Sequence, residues 1–181
     1  FSYQSTKTIS AGGEGGACVT NELGYAKHIR FLKDHAMTVD RKYYHTEVGF
    51  NYRMSELSAS VGCAQLDRLK GFLRKKAEIM AWYWCNLPLK ISKETQLSEQ
   101  SSNWVYPILV ENRDYLMQVL ESGGIETRIS FYPIHLQPPY KETHECPVSE
   151  YLAEHIMYLP SGTKLKKSEV IRVCQTIKRW L

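Results

Sequence analysis

Apolar residues recur at helical spacing in several stretches and alternate in others. Leu23, Ala26, Ile29 and Leu32 predict a helix over residues 22–33, with Asn21 as its N-cap. Ser55 and Glu56 open a second helix, whose face carries Leu57, Val61, Ala64 and Leu66 beside the small residues Ala59, Ser60 and Gly62. A third helix is predicted from Leu69 to Asn86, with the stripe Leu69, Phe72, Leu73, Ile79, Met80 and Tyr83, closed by Pro88. Alternation predicts strands over 104–110 and 125–132 and a short one over 17–20. Residues 113–122 read as a helix stopped by Gly123-Gly124. Residues 148–155 and 168–180 read as further helices, with an extended piece over 157–160 between them. The remaining stretches, 34–52, 90–102 and 133–147, read as loops.

The order strand, helix, strand, helix after residue 88 predicts a small α/β or α+β domain. Composition changes little in this picture. With 181 residues, 43% hydrophobic and 23% charged, the chain is ordinary for a soluble protein. Its net charge of +4 is spread out, so clusters such as Arg74-Lys75-Lys76 and 164–167 are expected to be solvated faces and not a nucleic-acid site. Five cysteines at wide spacing, with no C-x-x-C and no zinc spacing, predict reduced thiols, a cytoplasmic setting and no metal. No signal peptide and no membrane-length apolar run is present. Because the chain opens on Phe1 directly into a dense motif, it is expected to be part of a longer one.

Three runs carry candidate chemistry. The first, FSYQSTKTISAGGEGG over 1–16, holds one lysine among hydroxyls and glycines. Hydroxyls and bare backbone N–H groups suit a phosphate. Lys7 could clamp that phosphate, attack a carbonyl, or simply lie exposed in a turn. The second run, GFNYRMSELSASVGCAQLDRL over 49–69, places Asn51 and Arg53 just ahead of a helix, where they could meet an anion or merely precede a cap. The third, FYPIHLQPPY over 131–140, fixes Tyr132 and His135 in a proline-restricted loop. A lone histidine of this kind is more often structural.

In this order the three runs resemble the DegT/DnrJ/EryC1/StrS family of pyridoxal-phosphate-dependent sugar aminotransferases. Within it, YYHTEVGFNYRM, ETRISFYPIHLQPPY and LPSG are most similar to the branch that makes GDP-perosamine by aminating C4 of GDP-4-keto-6-deoxymannose. The resemblance implies an α/β fold: the C-terminal part of a PLP-dependent transferase, aspartate aminotransferase-like, of fold type I. Residues 1–87 would then end the large cofactor-binding domain and its connecting helices, and residues 88–181 would form the small C-terminal domain. Pyridoxal 5'-phosphate is the implied cofactor. Lys7 is the implied catalytic residue and carries the cofactor, while Ser2 binds its phosphate and Asn51 reaches the phosphate in a neighbouring subunit. Arg53, Tyr132 and His135 are the implied contacts to the nucleotide-sugar, and Glu14 is structural. A homodimer and glutamate as amino donor follow from the same resemblance.

Two departures accompany it. The turn after Lys7 has one additional glycine, which glycine turns absorb locally. The family's N-terminal half, with the acidic partner of the pyridine nitrogen and the residue stacked on the ring, has no counterpart here. The isolated chain is therefore expected to be nearly inactive. Rival readings are an aminotransferase for a UDP- or dTDP-linked keto-sugar, and an inactive remnant or binding subunit. Some dehydratase relatives carry histidine in place of the lysine, and Lys7 argues against that variant.

Overall fold

The structure is a computed structural model that describes residues 1–88, 101–140 and 145–181. The loop expected over 90–102 lies mostly outside the described residues, as do residues 141–144 of the proline-rich loop. The chain forms two compact units, Phe1–Lys70 and Gly71–Leu181.

The first unit holds α1 (Leu23–Lys33) and α2 (Glu56–Asp67). Ser55 caps α2 as expected, its hydroxyl accepting from Ser58 N at 3.1 Å. The start of α1 differs from expectation. Its N-cap is Glu22, without a side-chain cap, and Asn21 plays no part. Thr20 takes over the local bonding, with Oγ1 accepting from Glu22 N at 3.0 Å. The strand expected over 17–20 does not form, because beyond the two bonds that join Ala17 to Phe1 no strand among the described residues pairs with it. No residue of α1 or α2 is buried.

The second unit has the apolar core. Helix α3 (Leu69–Asn86) buries Ile79, Met80 and Tyr83. Three strands, β1 (Tyr106–Leu109), β2 (Arg128–Ile129) and β3 (Ile156–Leu159), form an antiparallel sheet in the order β1-β3-β2. Alternate residues Tyr106, Ile108, Met157 and Leu159 face inward. They meet α3, α4 (Arg113–Ser122) through Leu116 and Leu120, and α6 (Lys167–Trp180) through Val170, Val173, Cys174 and Ile177. Each such fully buried side chain stabilises the fold by roughly 1.5–3 kcal/mol. Gly123 and Gly124 stop α4 as expected, Gly124 at φ +68°.

Both expected strands are shorter than the alternation suggests, and β3 is the reason. It emerges directly from α5 (Pro147–His155) and ends at Pro160. Register pairs Tyr106 with Leu159 and Ile129 with Met157, so β1 meets Pro160 on one side and β2 runs out where α5 ends.

Where the β1–β3 ladder breaks, α3 takes its place. Lys76 Nζ donates to Trp104 O and Ser161 O, each at 2.7 Å, bridging the two segments just past the last pair. Tyr83 Oη donates to Pro160 O at 2.8 Å. Lys76, expected on a solvated face, is only 6% exposed. A lysine at helical spacing with Leu73 and Met80 can lie on the apolar side when carbonyls await its ammonium.

Burial pushes the Lys76 pKa down to about 8 from 10.5. Between those values the unfolded chain binds a proton that the folded chain has released, so this group makes stability rise with pH there. The full rise is about 3 kcal/mol. Burial also pushes the Cys174 thiol up from 9.0 to about 11, which acts in the opposite sense above pH 9. The Lys76 contribution is thus read as a difference. The stability of the wild type relative to Lys76→Met should climb between pH 8 and 10.5 in denaturant titrations, and a flat difference would contradict it.

Candidate active site

Residues 1–17 fold back on themselves. Tyr3 N donates to Gly15 O at 2.7 Å, Ala11 N to Tyr3 O at 2.9 Å and Ala17 N to Phe1 O at 3.0 Å. Bridges join Ser2 to Gly16 and Gln4 to Gly13. Between these arms the chain turns tightly, with Lys7 N donating to Gln4 O at 2.9 Å. Gln4 Oε1 also accepts from Thr6 N at 2.9 Å and Thr6 Oγ1 at 2.6 Å. This turn presents the half-buried Lys7. Gly12 sits at φ +79° on the return arm, and a Cβ at Gly16 would lie 2.8 Å from Phe1 O. These two positions need glycine. Glu14, expected to be structural, lies within this fold-back and is exposed.

Asn51 and Arg53 are held by a different device. Immediately after α1, His35 and Ala36 both adopt left-handed φ, at 63° and 50°. Each such residue costs of the order of 1 kcal/mol. Their backbone is gripped by the returning strand: His35 N donates to Phe50 O at 2.9 Å, Phe50 N to Leu32 O at 2.8 Å and Tyr52 N to Lys33 O at 2.9 Å. The approach is close enough that a Cβ at Gly49 would lie 2.2 Å from Ala36 N and from His35 C.

Arg53 completes the arrangement. Its Nε donates to Asn51 Oδ1 at 3.2 Å, its Nη1 pairs with Asp34 Oδ1 at 3.1 Å, and its Nη2 donates to His35 Nε2 at 3.3 Å. The half-exposed Arg53–Asp34 pair contributes little stability by itself, since water screens it. Its effect is orientation. Arg53 Nε can only donate, so it must face the amide oxygen of Asn51. The Asn51 NH2 group is left outward, with no acceptor among the described residues. The contact to Asp34 is an ion pair and the other two are hydrogen bonds, so Arg53 spends two of its five N–H donors on hydrogen bonds here.

Ser2 shows the same economy. Its hydroxyl accepts a long bond, 3.4 Å, from Gln4 N and donates none among the described residues. The unspent O–H of Ser2, in the same fold-back as the Lys7 amine, suits a phosphate-bearing aldehyde, and the unspent NH2 of Asn51 separately suits a phosphate. These residues fit pyridoxal phosphate.

Tyr132 and His135 belong to the second unit. Tyr132 is 63% exposed. His135 lies in a short 3-10 turn, Ile134–Leu136, followed by another, Pro138–Tyr140, within the proline-rich loop. Its Nε2 donates to Glu150 Oε1 at 2.9 Å, and the His135 side chain is only 13% exposed. This bond, and then one from Cys146 N at 3.3 Å, hold the Glu150 carboxyl below its usual pKa. The structure thus joins Asn51 with Arg53 in one unit and places Tyr132 with His135 in the other.

Asp34, His35, Gly49 and Glu150 were not singled out by sequence. A lone glycine two residues before Asn51 was the available signal for the first three. Among the described residues no cluster of His, Cys, Asp or Glu could hold a metal ion. No described helix is long and apolar enough to cross a membrane. All five cysteines are free.

Comparison with known proteins gives consistent matches. The family model described as the DegT/DnrJ/EryC1/StrS aminotransferase family matches residues 1–178. The GDP-perosamine synthase of Escherichia coli O157:H7 is 34% identical over 189 residues, covering 99% of this chain and 50% of that protein. The GDP-perosamine synthase of Vibrio cholerae is 34% identical over 192 residues, covering 99% and 52%. The chain spans about half the length of the curated relatives it matches. In structure it is similar to DesV of S. venezuelae, at TM-score 0.89 and 27% identity, covering 99% of this chain and 50% of that one. The described fold is that of the corresponding half of these fold type I enzymes.

The grip of Gly49 on the left-handed pair is testable. A Gly49→Ala methyl meets backbone that cannot swing aside, so it should destabilise the first unit by about 3 kcal/mol or more. Urea titration of the protein checks this, and a loss under about 0.5 kcal/mol would refute the close packing.

Proposed function

The chain belongs to the DegT/DnrJ/EryC1/StrS aminotransferase family, and on that premise we propose that it forms the C-terminal half of a pyridoxal-phosphate-dependent enzyme aminating a nucleotide-linked 4-keto-6-deoxy sugar. GDP-4-keto-6-deoxymannose is the proposed substrate and GDP-perosamine the product. One observation carries the reading at the site: Ser2 and Asn51 hold unspent donors in the same unit as the turn that presents Lys7. The GDP-sugar assignment draws on the 34% identity to GDP-perosamine synthases.

In this reading the Lys7 amine holds the cofactor aldehyde, the Ser2 hydroxyl binds the cofactor phosphate, and the Asn51 amide reaches the phosphate in the partner subunit of a homodimer. When bound, pyridoxal phosphate supplies an electron sink for the carbanion formed at a substrate carbon. Once displaced by the amino donor, glutamate, the Lys7 amine takes the proton from the donor's α-carbon. With the keto-sugar it delivers a proton to C4. Arg53 keeps the Asn51 NH2 group outward and offers its remaining donors to the substrate. Tyr132 and His135 contact the nucleotide-sugar from the small domain. The domains proposed are 1–87 and 88–181, although the buried face of α3 packs in the core of the second unit. The setting proposed is the cytoplasm, where the five thiols remain reduced.

The test uses the full-length enzyme. Lys7→Ala should abolish the absorbance of the lysine-bound cofactor and lower turnover at least about 10³-fold. Retention of both would sink the assignment. GDP-4-keto-6-deoxymannose should be aminated in preference to dTDP- and UDP-linked keto-sugars. Preference for either of those would redirect the substrate and leave the role of Lys7 standing. Residues 1–181 alone should turn over little of any of them.

A further inference from the structure

Two carboxylate contacts converge on one atom in the small sheet unit. Glu150 Oε1 accepts from His135 Nε2 at 2.9 Å and from Cys146 N at 3.3 Å. Cys146 is the N-cap of α5, and Glu150 lies in the first turn of that helix. Helix α5 runs without a break into β3, the central strand of the sheet. The imidazole is thereby tied, through α5, to the central strand of the sheet, although its own backbone lies in a short turn of the loop.

The carboxylate also selects the state of the ring. An ionised carboxylate only accepts, so His135 Nε2 carries hydrogen in this contact. In the neutral ring Nδ1 is then the acceptor. Among the described residues Nδ1 has no hydrogen-bond partner, on a side chain only 13% exposed. With Nε2 spent and Nδ1 without a partner among the described residues, the neutral ring keeps one acceptor for a hydroxyl donor. Tyr132, exposed three residues earlier, flanks the same loop.

We infer that Glu150 is a positioning residue: it fixes His135 as the Nε2–H tautomer so that Nδ1 accepts a hydroxyl of the nucleotide-sugar. The substrate contact rests on the function proposed above, whereas the tautomer does not. A purely structural Glu150, acting only to close the α5 N-terminus, would leave the two tautomers and the substrate affinity unlinked.

The experiment has two arms on the full-length enzyme. In the first, histidine-labelled protein is examined by imidazole ¹⁵N NMR at neutral pH, with His135→Gln assigning the signal. The wild type should show the Nε2–H tautomer, and Glu150→Ala should show a mixture. In the second, steady-state kinetics should show Glu150→Ala raising KM for the keto-sugar nucleotide about tenfold, the loss of one hydrogen bond of ordinary worth. The kcat and the KM for glutamate should move less than twofold. In a His135→Ala background the same substitution should add nothing. If Glu150→Ala does not fold, Glu150→Gln carries both arms, since its amide oxygen can still accept from Cys146 N while its NH2 permits the other tautomer. An unchanged tautomer, or a KM effect that persists without His135, overturns the inference. A wild type that leaves the keto-sugar unaminated overturns the earlier reading instead, and the first arm still decides what Glu150 does to the ring.

Discussion

The approach of Gly49 to the backbone of His35 and Ala36 is the constraint on which the first unit's candidate site depends. Two consecutive non-glycine residues in left-handed φ are costly, and nothing within α1 itself requires them. They persist because the returning segment 49–52 bonds to both sides of the turn and because position 49 carries no side chain. The reversal brings Asp34 and His35 to one side of Arg53. Arg53 then sets the amide of Asn51. A backbone contact is thus converted, through one guanidinium, into the direction of a single NH2 group.

The second unit solves its equivalent problem with a buried charge. Pro160 interrupts the pairing of β3 with β1, leaving the carbonyls of Trp104 and Ser161 without ladder partners where the sheet is covered by α3. Lys76 supplies both hydrogen bonds at the cost of burying an ammonium. That cost appears as its lowered pKa. The hydroxyl of Tyr83, about two turns further along the same face of α3, satisfies Pro160 O. The polar ends of two core side chains therefore do what a longer strand would otherwise do.

Much of this was legible in the sequence. The periodic stretches gave α3 and α4 their bounds, and α2 its cap at Ser55, because apolar spacing and capping chemistry are local. Three matched motifs identified the family, which the match over residues 1–178 bears out. What failed was non-local. Strand length depended on where β3 meets α5 and Pro160, which alternation within 104–110 or 125–132 cannot reveal. Lys76 looked like one member of a basic cluster, and only the carbonyls of Trp104 and Ser161, distant in sequence, give it a reason to be inside. Asn21 had the right chemistry for a cap but stands one residue too early, where Thr20 already bonds Glu22 N.

The distribution of satisfied and unsatisfied groups separates scaffold from ligand surface more sharply than exposure does. Lys76 is buried and fully engaged, so its chemistry is consumed by the fold. Arg53 is half exposed, yet it is held by hydrogen bonds to Asn51 and His35 and by an ion pair to Asp34. Ser2, Asn51 and His135 are engaged on one side only. Ser2 accepts, Asn51 accepts through its oxygen, and His135 donates through Nε2. Each therefore keeps the complementary function: a hydroxyl donor, an amide donor and a ring acceptor. Two donors suit phosphate oxygens, and one acceptor suits a sugar hydroxyl.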